Sequence, residues 1–267
     1  MNLTRELILT EPKSNNHFSK IASNYKELRT TDVDHIKHIK NLLEKESEID
    51  IADIGCGDGR YSLEILKSFK NCYLHCIDYN ENMIKYLKRY LTENKFRNFC
   101  ARAGDASKLP LENDSMDCIM TFNAIHHFDL EKFFSEVYGS LKDDGHLFIY
   151  TRLRNQNYRS VWGEHFPLFA DMENRLYELN ELEEYVENAE MNIKFLRVFG
   201  HARTSTLGRL VHQAKNNHYS TFALYDEETF DESLDIFQKN VNLLHGQPGC
   251  LACKDELRRH HIFSAFH

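Results

Sequence analysis

The sequence predicts an α/β fold built on a mostly parallel sheet, and three observations carry that expectation. Ile51, Ala52 and Ile54 form a short apolar run of strand type, the stretch Gly55-Cys56-Gly57-Asp58-Gly59 follows, and Leu63, Ile65, Leu66 and Phe69 then recur at helical spacing. Further apolar runs at 72–77, 98–103, 117–122 and 146–150 repeat the strand signal along the chain. A length of 267 residues suits one elaborated α/β domain with a substantial core.

The glycine stretch is the most informative element. Glycines at alternate positions let the backbone turn sharply and approach a ligand with no Cβ in the way, while amides of the helix N-terminus stay free to meet it. A dinucleotide fingerprint wants glycines at its first, third and sixth positions, and here the sixth is Arg60. No Gly-Lys-Ser/Thr follows, which removes the P-loop reading. The pattern Asp53-x-Gly55-x-Gly57-x-Gly59 resembles instead the first motif of class I methyltransferases that use S-adenosylmethionine (SAM). That resemblance implies that Asp53, Gly55, Cys56 and Gly57 cradle the cofactor.

The second strand ends in Asp78, about 20 residues beyond the glycine loop, where a carboxylate can accept hydrogen bonds from both ribose hydroxyls. The spacing alone serves NAD or SAM. Residues 79–84 resemble the family's second motif, which implies that Tyr79 and Met83 line the adenine face. After the third strand, Gly104-Asp105-Ala106-x-x-Leu109-Pro110 matches the family's Gly-Asp-Ala-x-x-Leu-Pro segment. There the resemblance gives Asp105 the adenine amino group and the Ala106 amide a ring nitrogen. The fourth strand ends in Asn123-Ala124-Ile125-His126-His127, and in the family the backbone at Asn123 and Ala124 faces the SAM amine. Upstream, Phe18-x-x-Ile21-Ala22-x-x-Tyr25-x-x-x-Arg29 resembles the opening of many small-molecule methyltransferases. It implies that Tyr25 lies over the cofactor and that Arg29 holds the methionyl carboxylate, although a solvated arginine on an amphipathic helix reads equally well.

With these motifs in order, the chain is similar to the ubiquinone and menaquinone type of class I SAM-dependent methyltransferase. The resemblance implies a Rossmann-like, mostly parallel seven-stranded sheet with helices on both faces and a helical lid inserted before the last strand. It also implies a transferase that moves the methyl of SAM to a small-molecule acceptor and releases S-adenosylhomocysteine (SAH). Because the methyl is already activated, catalysis needs alignment and desolvation, with a base only where the acceptor must lose a proton. His126 and His127 stand where open α/β sheets place their ligands, and either is a candidate base, His127 being preferred. One ring of such a pair can equally well only pack under the cofactor.

The flanking elements follow from periodicity. Residues 32–45 carry Ile36, Ile39, Leu42 and Leu43 on one helical face, and 128–141 carry Phe133, Phe134, Val137 and Leu141, with Asp143-Asp144-Gly145 as the stop. A helix is expected at 179–189 and a sixth strand at 193–199. Arg152, Arg154 and Arg159 leave the sheet on the edge that carries the motifs, so they form a candidate anion pocket or simply a charged loop. Trp162, His165, Phe166 and Phe169 form an aromatic cluster, read as core or as a cap over the acceptor. His218 and Tyr219 are substrate candidates within the insertion. The expected division is an N-terminal helical cap over 1–45, a SAM-binding core over 46–200, a helical lid over 201–259 and a terminal strand over 260–267.

Composition narrows the partners. A net charge of −8 provides no global basic field for nucleic acid, although Arg203, Arg209 and Lys215 leave RNA or protein methylation as the alternative, beside a non-catalytic SAM-binding role. Seven cysteines, an odd count lying largely in predicted elements, read as reduced thiols and a cytoplasmic location. Cys250 and Cys253 with His260 and His261 match no common zinc spacing, so no metal is expected. The amino-terminal residues lack the pattern of a secretory signal, and no apolar run is long enough to span a membrane. Oligomeric state is open.

Overall fold

The structure is a computed structural model, and it describes residues 31–43, 48–245 and 253–266. A first helix, α1 (Asp34–Leu42), buries Ile36 and Ile39 at one-turn spacing. Then come β1 (Ile49–Ile54), α2 (Arg60–Ser68), β2 (Cys72–Asp78), α3 (Glu81–Glu93), β3 (Phe99–Ala103) and β4 (Met116–Phe122). A 3₁₀ turn, Ile125–His127, leads to α4 (Leu130–Ser140) and β5 (Leu141–Thr151). The sheet order is β3-β2-β1-β4-β5, all parallel, followed by two antiparallel strands, β7 (Cys253–Phe266) and then β6 (Asn192–Ser205). The strand order reverses between β1 and β4, which opens a crevice at their carboxyl ends.

Each face of the sheet has its own core. On one, Ile51, Leu74, Cys118 and Met120 pack under Leu63, Leu66, Ile84 and Leu87 of α2 and α3. On the other, Ala52, Ile54, Ile119 and Ile149 pack under Phe133, Phe134 and Val137 of α4, with Leu182 and Val186 from a later helix. Between β5 and β6 lie three short helices, α5 (Arg154–Asn157), α6 (Val161–His165) and α7 (Phe169–Met172), and then α8 (Leu179–Asn188). The first of these turns the arginine stretch into ordered structure.

Three expected boundaries shift. The Asp143-Asp144-Gly145 stop lies inside β5, because Asp144 takes φ +62° and the pairing of β4 with β5 slips between Met116 and Cys118. The sixth strand continues past the expected end at 199 to Ser205, and the last strand starts at Cys253 rather than near 260. Twelve paired positions along β6 and β7 hold this ladder together, from Asn192↔Phe266 to Ser205↔Cys253. The helical part of the insertion is therefore shorter than the expected 201–259. It comprises α9 (Leu207–Lys215), a 3₁₀ turn Ser220–Leu224, and α10 (Glu227–His245). Tyr25, Arg29 and Cys250 lie outside the described residues, and Cys253 stands in β7. Among the described residues, no helix is long and apolar enough to cross a membrane.

Candidate functional site

The crevice holds a cavity of ≈ 640 Å³, lined by the loops after β1, β2, β3 and β4 at one end and by residues following β5 and from the insertion at the other. Gly55 and Gly57 take φ +73° and +53°, where a side chain is strained. A Cβ on Gly55 would stand 2.5 Å from that of Ala124, so the loops after β1 and β4 touch across the missing atom. A Cβ on Gly57 would meet nothing within 4 Å, because this part of the loop borders open space.

Asp78 closes β2 beside that loop. Its Oδ2 accepts the Gly57 amide at 2.8 Å and its Oδ1 the Asn80 amide at 2.9 Å. Burial pushes the carboxyl up from its ordinary value, and the two amides offset this only in part. Asn80 in turn caps α3, accepting from the amides of Asn82 and Met83. That capping fixes Met83, which is buried in the cavity wall, whereas Tyr79 is exposed at its rim. Asp105 and Ala106 form the wall after β3, where Asp105 Oδ1 accepts the Ser107 amide at 2.8 Å.

Asp53 differs from the expectation. It is buried, does not line the cavity, and accepts the Ser62 hydroxyl at 2.6 Å through Oδ2, which ties β1 to the first turn of α2. Its Oδ1 has no hydrogen-bond partner among the described residues. Burial, only partly offset by Ser62 and joined by the nearby Asp78 and Asp58, pushes its carboxyl up to about 7. Asp53 thus supports the glycine loop from beneath. Cys56 does line the cavity, with a thiol pushed well up by burial and by its neighbour Cys76.

After β4, Asn123 takes φ +54°, donates its amide N–H to the Tyr150 carbonyl at 2.7 Å and its Nδ2 to the Tyr61 hydroxyl at 3.4 Å. The tyrosine stacks on Phe122 with ring centroids 4.6 Å apart, and both rings line the cavity. In the 3₁₀ turn that follows, the His127 amide donates to the Ala124 carbonyl at 2.9 Å. The rings of His126 and His127 are 4.1 Å apart, both line the cavity, and His127 is the more exposed.

At the far end stand Arg152, His218 and Tyr219 with Glu173, Leu176 and Thr221. Of the three arginines after β5, Arg154 is instead paired with Glu181 at 2.9 Å, and Arg159 is exposed. Trp162 is not in the wall. It is fully buried in a separate aromatic core, stacked on Phe237 at 4.9 Å and edge-on to Phe222 at 5.1 Å, so it packs with residues of the insertion and not against the cavity. Sequence reasoning missed Tyr61, Phe122 and Glu173. The first two carried a signal, adjacency to the glycine loop and to Asn123; Glu173 carried none.

A switch-point crevice with a glycine cradle and an acid at the end of β2 defines a Rossmann-like α/β protein, the architecture in which open sheets place a nucleotide-type ligand. Residues 51–145 match the family model described as a methyltransferase domain. The chain is similar to an uncharacterised methyltransferase of Bacillus subtilis, YcgJ, 28% identical over 49% of this chain and 52% of that protein. It is also similar to the 25S rRNA (adenine(645)-N(1))-methyltransferase of Saccharomyces cerevisiae, 32% identical over 40% of this chain and 26% of that protein. Among solved structures, phosphoethanolamine N-methyltransferase 2 of Haemonchus contortus in complex with S-adenosyl-L-methionine aligns with a TM-score of 0.56 at 16% identity. That alignment covers 93% of this chain and 57% of that one. The chain spans only 23% to 52% of the first curated relatives it matches.

Proposed function

We propose that the chain is a SAM-dependent methyltransferase acting on a small-molecule acceptor. The observation that carries this reading is a single cavity whose lining includes the glycine cradle, Asp78, the histidine pair and Arg152. The residues present fit SAM. Gly57 leaves room where a side chain would intrude, Asp78 retains lone pairs beyond those taken by the two amides, and Asp105 stands at the cavity wall. In this reading Asp78 holds the ribose, Asp105 with the Ala106 amide the adenine, Met83 and Tyr79 the adenine faces, and the Asn123–Ala124 backbone the amine.

When bound, SAM supplies a methyl group on sulfonium, ready for in-line displacement. The chain's own contribution is to align the acceptor, exclude water with the insertion, and take a proton at His127 or His126 where the acceptor carries one. The test is thermal unfolding with SAH, SAM and NAD, on wild type and Asp78→Ala. A ligand at 100 times its Kd stabilises by about 2.7 kcal/mol, a shift of roughly 5–10 °C for a chain of this size. The SAM pair should shift the wild-type midpoint and NAD should not; no shift with either would overturn the reading.

RNA methylation is the second reading, supported by the similarity to an rRNA methyltransferase. It predicts binding to RNA that falls steeply with salt.

A further inference from the structure

The far end of the cavity has a charge pattern of its own. Glu173 is 2% exposed and fully engaged: Arg175 donates Nε to Oε1 at 2.8 Å and Nη2 to Oε2 at 2.7 Å, and the Thr221 hydroxyl donates to Oε2. Burial pushes this carboxyl up, but Arg175 and Thr221 outweigh it and hold it below the ordinary value, so it stays ionised. Arg175 also donates to Ser220 Oγ at 3.1 Å, tying the loop before α8 to the insertion. This pair is neutral as a unit. The charge of Arg152 also helps to hold the Glu173 carboxyl down, without an ion-pair contact to it among the described residues.

Arg152 leaves the end of β5, lines the cavity, and lays its guanidinium over the Tyr219 ring at 4.9 Å. Its Nε is buried with no hydrogen-bond partner among the described residues, and no carboxylate there lies within ion-pair distance of it. The neighbouring Arg154, by contrast, has Glu181 and the Leu176 carbonyl. A guanidinium carried over an aromatic ring keeps N–H donors for a planar or tetrahedral oxyanion, and a buried donor left unmatched costs free energy until such a group arrives. The opposite end of the cavity is acidic, with Asp58, Asp78 and Asp105. Of the two arginines in the lining, Arg60 stands at the glycine loop beside Asp58, whereas Arg152 stands with the residues of the insertion.

We propose that the methyl acceptor is an organic anion whose carboxylate or phosphate group docks on Arg152, against Tyr219 and beside the Glu173–Arg175 pair. This rests on the methyltransferase reading and names its substrate class. Arg152 then sets specificity by position: it anchors the charged end of the acceptor and leaves the reacting end toward the histidine pair. His218 and Tyr219 become the walls of the anion subsite.

The experiment uses the full chain saturated with SAH. Binding is measured by calorimetry for matched probes: 4-hydroxybenzoate against 4-hydroxybenzamide, phenyl phosphate against phenol, and inorganic phosphate alone. Wild type should bind one of the charged probes at least tenfold more tightly than its neutral partner, and the two pairs tell a carboxylate subsite from a phosphate one. Arg152→Met should abolish that preference and leave SAH affinity unchanged, Arg152→Lys should keep part of it, and Arg159→Met, at an exposed position, should keep all of it. Equal binding of charged and neutral probes by wild type overturns the proposal even if Arg152→Met fails to fold. So does a loss of SAH affinity in Arg152→Met, which would assign the arginine to the cofactor carboxylate. Failure of SAH itself to bind would strike the methyltransferase reading, and the two failures are thereby distinguishable.

Discussion

The amide of Gly57 donates to the carboxylate of Asp78 at 2.8 Å, which joins the loop after β1 to the end of β2 by one hydrogen bond. The residue that shapes the cradle and the residue assigned to the ribose hold each other in place. Substituting Asp78 therefore removes that link, while the Gly55 and Cys56 amides still donate to the Ile77 carbonyl at 2.8 and 3.2 Å.

Asp78→Ala should weaken SAH binding by at least 30-fold, equivalent to about 2 kcal/mol, because a charge-assisted pair of hydrogen bonds is worth that much. Isothermal titration gives the number. Circular dichroism should show an intact fold, and unchanged affinity would remove Asp78 from the site.

Asp53 makes stability depend on pH. Its folded-state value of about 7 lies above that of an unfolded aspartate, so the folded chain binds the extra proton between about pH 4 and 7. The contribution is fully present below about pH 4 and is lost as pH rises through 7. Urea unfolding at pH 5 and pH 8 should show wild type losing about 2–3 kcal/mol relative to Asp53→Asn over that interval. A constant difference between the two proteins would place the Asp53 carboxyl near its ordinary value.

Trp162→Ala should cost roughly 3–5 kcal/mol of stability in the lid, as for truncation of a fully buried aromatic side chain. SAH affinity should stay within twofold, since the ring stands apart from the cavity wall. Proteolysis focused on the insertion reads the first effect and calorimetry the second.

His127→Ala should lower the rate of methyl transfer roughly 100-fold with an acceptor that must lose a proton, and leave SAH affinity unchanged. With an acceptor that has no proton to lose, the rate should hold. Loss of both rate and affinity would make His127 a packing residue.

Cys100 should react with iodoacetamide before Cys56, Cys72, Cys76 and Cys118. Its Sγ lies 3.5 Å from His75 Nδ1 and 3.7 Å from Arg102. Burial pushes the thiol up, but His75 and Arg102 together pull it below the ordinary value, while Cys56, Cys72, Cys76 and Cys118 are buried. Peptide mass mapping during a time course at pH 7 identifies the site, and prior labelling of one of those buried cysteines would contradict this ordering.

The cofactor half of the cavity was legible in the sequence because short local motifs determine it. Gly55, Gly57, Asp78 and Asp105 each follow a strand whose apolar run can be read directly, and the parallel sheet brings strand ends together. Asp53 shows the limit of that reading, since a motif position says nothing about which way a side chain faces. The acceptor half was legible only in parts. Glu173 meets Thr221 across 48 positions of sequence, and Arg152 meets Tyr219 across a similar gap, so no local pattern announces either pair. Trp162 carried a pattern that suits both a core and a cap, and the partners that decide between them, Phe222 and Phe237, come from the insertion.

The chain leaves the sheet for its insertion at Ser205 and returns at Cys253, and those two residues are partners on a single rung of the β6–β7 ladder. Departure and return at one rung make the insertion a cassette. Loop closure depends only weakly on length, so segments of quite different size can be exchanged there while the strands stay in register. Tyr219, Ser220 and Thr221 ride on that cassette, whereas Gly57, Asp78 and Asp105 do not. On the proposed reading, grafting a relative's insertion between these two positions should change which molecule is methylated without changing what donates the methyl.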